Sequence, residues 1–284
     1  MDIALLSLFL FIITTILYIS PVPVIGKPEL KLTNNTLTTD DFATYYTECM
    51  KKMGLFLLIV ICTQLTLNIT YLIDKCKGSA GKNAGAAILY TLIPWFLIFG
   101  VMMALITAYP GLKNVFSDVI GYFAISGRAT DILTQVLIDT NINNAIEKES
   151  DPNKRKELTS AAEALMKICG NQSILVNQMY PDNFINIWDK LKPLMKEGMY
   201  EKGGPEDLKQ KLLDLVVQRE NIGEAMWYIY TAMLVSSIVY YNLDARGCVK
   251  DVDSIKAEYD AYEQQQEELE KQKAVNDSVV YTVS

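Results

Sequence analysis

Glu224 opens the apolar stretch at residues 221–248, NIGEAMWYIYTAMLVSSIVYYNLDARGC, and is the first group here that could do chemistry. A carboxylate at mid-bilayer costs at least about 3 kcal/mol, so an intramembrane acid is a functional candidate by default. Glu224, however, follows RENIG at the edge of the apolar run, where water or lipid headgroups can solvate it. Trp227, Tyr228, Tyr240 and Tyr241 flank the run at its two ends, as the aromatic belts of a span do. The residues therefore predict membrane-interface anchors, Glu224 among them, rather than a reactive acid. Asp74 and Asp244 end apolar runs in the same way.

KGSAGKNAGA, at residues 77–86, has the look of a phosphate loop and fails as one. Gly78 lies two residues too close to Gly81-Lys82, Asn83 stands where Ser or Thr would hold magnesium, and no strand precedes it. A basic hairpin between two spans is the better reading, with Gly81 and Gly85, four apart, allowing close helix approach. The chain has no histidine, which removes the usual general base, the commonest metal ligand, and Ser–His or Cys–His pairs. Five cysteines at 49, 62, 76, 169 and 248 form no CxxC spacing, so no zinc or thioredoxin-like site is indicated. The expectation is a protein without enzymatic activity and without a cofactor.

The elements that carry these residues follow from where charge and apolar side chains separate. Half of the 284 residues are hydrophobic, mean hydropathy is +0.15, and 21% are charged. Residues 1–109 hold seven Lys/Arg and six Asp/Glu, residues 110–223 fourteen and sixteen, and residues 244–284 five and ten. Most of the net −7 thus lies in the tail, and no basic stripe offers itself to nucleic acid. Four apolar runs meet the length of roughly 20 residues that a ~30 Å hydrocarbon core requires. They are residues 3–19, 53–73, 86–108 and 224–243. The first lacks a basic n-region and an A-x-A-like site, so it reads as an uncleaved anchor rather than a signal peptide. The second contains Gln64 and Asn68, expected to bond between helices, and Pro94 can kink the third.

With four spans, both termini and the loop 74–85 share one side; the loop 20–52 and the region 110–223 share the other. Six Lys/Arg near the membrane on each side leave orientation undecided. Cys49 and Cys169 fall on one side and can bond if it is oxidising, two free thiols being the alternative; Cys76 and Cys248 share the opposite side. Residues 110–223 read as a soluble helical domain. From Asp118 the positions Val119, Tyr122, Phe123, Ser126, Ala129, Ile132, Leu133, Val136 and Leu137 keep a 3-4 spacing and predict one amphipathic face. Gly121, Tyr122, Phe123, Arg128 and Asp131 are its candidates for docking a partner, with Arg128 and Asp131 one turn apart and able to pair. Further helices are expected at residues 158–168, after Asn183 until Pro193, and after Gly204-Pro205. The tail, from Ile255, places Ile255, Tyr259, Tyr262, Gln266 and Leu269 at 4-3-4-3 steps, a weak coiled-coil seam on an acidic helix. The fold class expected is all-α: a four-helix transmembrane protein, a helical domain between spans 3 and 4, and an acidic helical tail.

Two segments, FSDVIGYFAISGRATDILTQVLID and ENIGEAMWYIYTAMLVSSIVYYNLDARGC, resemble a family of multi-pass virion membrane and capsid-associated proteins. These belong to nucleocytoplasmic large DNA viruses, especially those of algae and protists. Phe116, Ser117, Gly121 and Tyr122 carry the resemblance, with Glu224, Trp227, Tyr240, Tyr241, Asn242 and Cys248, over about residues 86–248. It implies a structural protein of the membrane beneath an icosahedral capsid, assembled through host internal membranes. Its expected partners are the lipid bilayer, other virion or capsid proteins and further copies of itself. It assigns no catalytic residue. A component of an entry or fusion complex, or a small channel or transporter subunit using Gln64, Asn68 and Thr70, are the alternatives.

Overall fold

A computed structural model describes residues 3–76, 80–137, 151–152, 172–192, 195–196, 198–199, 206–249 and 252–277. These residues are almost entirely helical; two isolated bridges, Thr33–Thr36 and Leu137–Met195, stand in for sheet, and no strand occurs among them. Helix α1 spans Ile3–Ile19 and α2 spans Thr39–Cys76. Helix α3, Ala80–Pro94, continues through a π-helical segment, Trp95–Gly100, into α4, Val101–Ala108. Three helices are long and apolar enough to cross a membrane: Thr39–Cys76, Gly81–Ala108 and Leu208–Ala245. Helix α1 is a shorter apolar helix of 17 residues packed beside them.

Local chemistry explains the boundaries. Helix α2 begins well before its apolar part because Thr38 and Asp41 cap it reciprocally. Asp41 Oδ2 accepts from the Thr38 N–H and hydroxyl, at 2.8 and 2.7 Å, and the Asp41 N–H donates back to Thr38 Oγ1 at 3.2 Å. Pro94 has no N–H to give and its ring crowds the preceding turn, so the widened π turn follows directly. Beyond Ala108 a 3-10 turn, Pro110–Lys113, leads into the short α5, Asn114–Phe116, then a second π segment, Ser117–Gly121, then α6, Tyr122–Val136. Helices α7, Gln172–Gln178, and α8, Phe184–Leu191, precede α9, a continuous helix from Glu206 to Ala245. Helix α10, Val252–Asp277, ends the described chain and is exposed wherever its side chains are described.

Two cores result. In the apolar bundle Phe11, Phe56, Trp95, Phe99 and Tyr228 interlock, with Val235, Val239 and Leu243 of α9 continuing the seam. In the domain, Ile125, Leu133, Met179, Phe184 and Trp188 close around Leu212, Leu213 and Val216 from the first half of α9. One 40-residue helix therefore serves both cores, where separate helices were expected on either side of residue 224. Loop and helix α2 also reach across: Leu30 is buried in the domain core, and Phe42 and Tyr45 pack against it.

Several expectations need correction. Gly81 and Gly85 are exposed, and a Cβ at either would meet nothing within 4 Å, so neither brings helices together. That role falls to Gly121 and Gly223. A Cβ at Gly121 would lie 2.6 Å from the Arg219 carbonyl oxygen, and one at Gly223 would lie 2.8 Å from that of Lys113. The amphipathic face also starts out of phase. Val119 and Phe123 are exposed, at 54% and 75%, while Gly121, Ile125, Ala129, Ile132 and Leu133 are buried. The π segment explains this, because its i→i+5 bonding rotates the faces before regular α geometry begins at Tyr122. Arg128 donates to Gln218 Oε1 at 2.8 Å, and no Arg128–Asp131 ion pair occurs among the described residues. Cys49 holds a free thiol, so the Cys49–Cys169 bond is not formed; Cys169 itself, like residues 158–168, Pro193, Gly204 and Pro205, lies outside the described residues. Instead Cys76 bonds Cys248, with Cα atoms 5.2 Å apart, tying the end of α2 to the segment after α9.

Candidate functional site

The strongest concentration of charge lies where the two cores meet. Three turns of chain deliver it. The backbone of Lys27 donates to the Tyr18 carbonyl at 2.8 Å, folding the segment after α1 back over that helix. Gly26 permits this turn, since a Cβ there would collide with the Ser20 carbonyl oxygen at 2.0 Å. Lys113 ends the 3-10 turn that follows α4. Glu224 lies one residue beyond the close contact at Gly223, on α9.

Glu224 is 5% exposed, and its two oxygens take one lysine each. Oε1 lies 2.7 Å from Lys27 Nζ, and Oε2 lies 2.7 Å from Lys113 Nζ. The Tyr228 hydroxyl donates to Oε1 at 2.9 Å, and Lys27 also donates to Asn221 Oδ1 at 3.0 Å. The Lys27 ammonium stands 5.3 Å from the centre of the Tyr18 ring. Desolvation lowers the pKa of the enclosed Lys27 ammonium despite the Glu224 charge. Desolvation also opposes the Lys113 ammonium, but there the charge and hydrogen bond of Glu224 prevail and its pKa is raised. Removing one member of such a cluster is costly, about 3–5 kcal/mol, because its partners stay buried without compensation.

This overturns the solvated-anchor view of Glu224. Tyr228 is no interface anchor either: it is 1% exposed, within stacking distance of Phe56 at 5.8 Å. Trp227 is half-buried and donates to the Leu112 carbonyl at 2.8 Å, with Phe116 edge-on at 5.1 Å. At the other end Tyr240 lies 5.7 Å from Tyr71, and Tyr241 is 71% exposed. Gln64 and Asn68 are buried between helices. The Ser7 hydroxyl donates to Gln64 Oε1, Gln64 donates back to the Ser7 carbonyl, and Asn68 donates to Thr91 Oγ1 at 3.0 Å.

A second buried cation sits five residues along α9. Arg219 is fully buried and donates to the carbonyls of Val176 and Met179, at the end of α7, and to Glu220 Oε1 at 3.0 Å. Its guanidinium lies 5.1 Å from the Tyr180 ring centre. Arg219 thus holds α7 to α9, much as Lys27 and Lys113 hold two connecting segments to it. Beside both clusters opens a cavity of about 540 Å³, lined in part by Lys27, Lys113, Glu220 and Glu224 and by Tyr46, Tyr180 and Asp182. Among the described residues no group of three or more Cys, Asp or Glu side chains is placed to hold a metal ion.

Composition alone pointed to Glu224 and missed its partners. Lys27 and Asn221 are 194 residues apart in sequence, and no local period links them. Three prolines and a glycine around Lys27, in SPVPVIGKPEL, were the available hint that its loop is rigidly folded. No protein-family model, curated protein or solved structure matches this chain.

Proposed function

We propose that this chain is a non-enzymatic, four-span membrane protein that acts as a structural mount. The bundle anchors it, the helical domain presents a protein-binding surface on one face of the bilayer, and α10 presents another on the opposite face. The observation that carries the reading is α9, one 40-residue helix built into both cores and clamped at the seam by Lys27, Glu224 and Lys113. Such a helix transmits load between membrane and domain without a hinge. Membrane insertion is supported by the outer surface of the bundle: Leu5, Phe9, Leu58, Leu89, Phe96 and Leu97 are each more than half exposed, a broad apolar face suited to lipid.

Helix α1 is the fourth span in this reading. Its 17 residues reach about 26 Å at ~1.5 Å each, just under a ~30 Å core. Ser7, Phe11, Thr15 and Tyr18 face the bundle while Leu5, Phe9 and Ile16 face outward. Gln64 and Asn68 are engaged in bonds between helices, which favours packing over conduction. The narrower setting is the internal membrane of a large icosahedral DNA virus, where the protein links that membrane to capsid or other virion proteins. It rests on the resemblance of the segments beginning at Phe116 and Glu220. Purified virions are expected to keep the protein through high-salt washing and release it into detergent. Its presence in infected-cell membranes with none in virions would refute that setting.

A further inference from the structure

We propose that the cavity at the seam binds the headgroup of a zwitterionic phospholipid, one that carries both a phosphate and an alkylammonium. The inference rests on the membrane reading above and adds a ligand to it. Volume comes first: about 540 Å³ falls within the ~300–1,000 Å³ of small-molecule sites. Position comes second. Met50, Met53 and Thr107, which line the cavity, lie beside or at the ends of the apolar runs 53–73 and 86–108; Met50 and Thr107 are exposed. In the membrane reading the cavity therefore sits at headgroup depth, with Met50, Met53 and Ile106 as apolar lining for an acyl chain.

Charge decides the ligand class. Lys27 and Lys113 share the single carboxylate of Glu224, which leaves one positive charge in excess. Glu220 is paired with Arg219, while Asp182 accepts from the Tyr46 hydroxyl at 3.0 Å, which leaves one negative charge in excess. Together the groups sum to zero while offering both ammonium and carboxylate partners, which suits a zwitterion better than an anion. Lys113 makes one described hydrogen bond, to Glu224, so its ammonium has further N–H donors to offer a phosphate oxygen. Tyr46 stands beside Asp182, an aromatic and carboxylate setting that receives an ammonium. The Lys27–Glu224–Lys113 clamp already fixes both ammonium groups, so binding would require little reorganisation.

The test is native mass spectrometry of the full-length protein in detergent with three probes at equal concentration. These are dihexanoyl-phosphatidylethanolamine, dihexanoyl-phosphatidylglycerol and soluble O-phosphoethanolamine. The ethanolamine lipid should be retained at least tenfold better than the glycerol lipid or the soluble headgroup. Lys113→Gln should weaken that retention at least tenfold. Because Lys113→Gln also disturbs the clamp, Asp182→Asn on the exposed rim is the second variant; it should erase the preference for ethanolamine over glycerol. Equal retention of the two lipids, or a preference unchanged in Asp182→Asn, overturns the proposal. Soluble O-phosphoethanolamine binding as tightly as the lipid also overturns it, by assigning the site to a dissolved ligand. Alkaline carbonate extraction of the source membranes tests the membrane reading separately, since a protein released by carbonate fails that reading whatever it binds.

Discussion

At the level of single residues, Glu224 is the charge that holds two lysines at a boundary no core covers. A carboxylate that faced water would tolerate replacement, whereas this one leaves Lys27 and Lys113 enclosed without a counter-charge. Glu224→Leu should therefore destabilise the detergent-solubilised protein by about 3–5 kcal/mol in denaturant unfolding. Adding Lys27→Met should recover part of the loss, since it removes the most deeply buried orphaned cation. A Glu224→Leu protein as stable as the parent would show that the cluster is ornamental. Glycines give a sharper contrast, because their environments differ so much. Gly121→Ala places a methyl against the Arg219 backbone and should cost about 1–3 kcal/mol. Gly81→Ala meets open space on an exposed helical surface and should be neutral or stabilise by up to about 1 kcal/mol. Equal effects at the two positions would count against the close approach of α6 and α9.

At the level of elements, helix α2 depends on its cap. Thr38→Ala removes both the hydroxyl that receives the Asp41 N–H and one donor to the Asp41 carboxylate, and should cost about 1 kcal/mol at neutral pH. Hydrogen bonds from Thr38 hold the Asp41 pKa below its ordinary value of 3.8. A depressed carboxylate contributes stability above its unfolded pKa and loses it as pH falls through the folded one. The difference between parent and Thr38→Ala should therefore shrink as pH drops below about 4, and a difference independent of pH would argue that the cap is not ionic. Much of this level was legible from sequence: the apolar runs at 3–19, 53–73 and 86–108 fall within helices, and Pro94 does interrupt one. What escaped were features that local period cannot encode. The π segment before Tyr122 shifts the buried face of α6, and the Cys76–Cys248 bond joins positions 172 residues apart. Glu224 was legible as a candidate, but its meaning depends on Lys27 and Lys113, which only the closed fold brings to it.

For the whole molecule, one helix joins the apolar bundle to the helical domain. The disulfide lies at one end of the bundle, and the clamp and the free thiol of Cys49 lie towards the other. Structural disulfides persist in oxidising compartments, so in the proposed membrane reading Cys76 and Cys248 lie together on an oxidising side. The proposed four-span reading also puts the amino terminus there, with the helical domain across the bilayer. Protease protection in sealed membrane vesicles, with one epitope in the tail after Asp277 and one at the amino terminus, tests this most directly. When protease reaches the face carrying the domain, the account predicts cleavage between Val136 and Glu206 with both terminal epitopes retained on protected fragments. Loss of the tail epitope together with the domain, from the same face of intact vesicles, would contradict it.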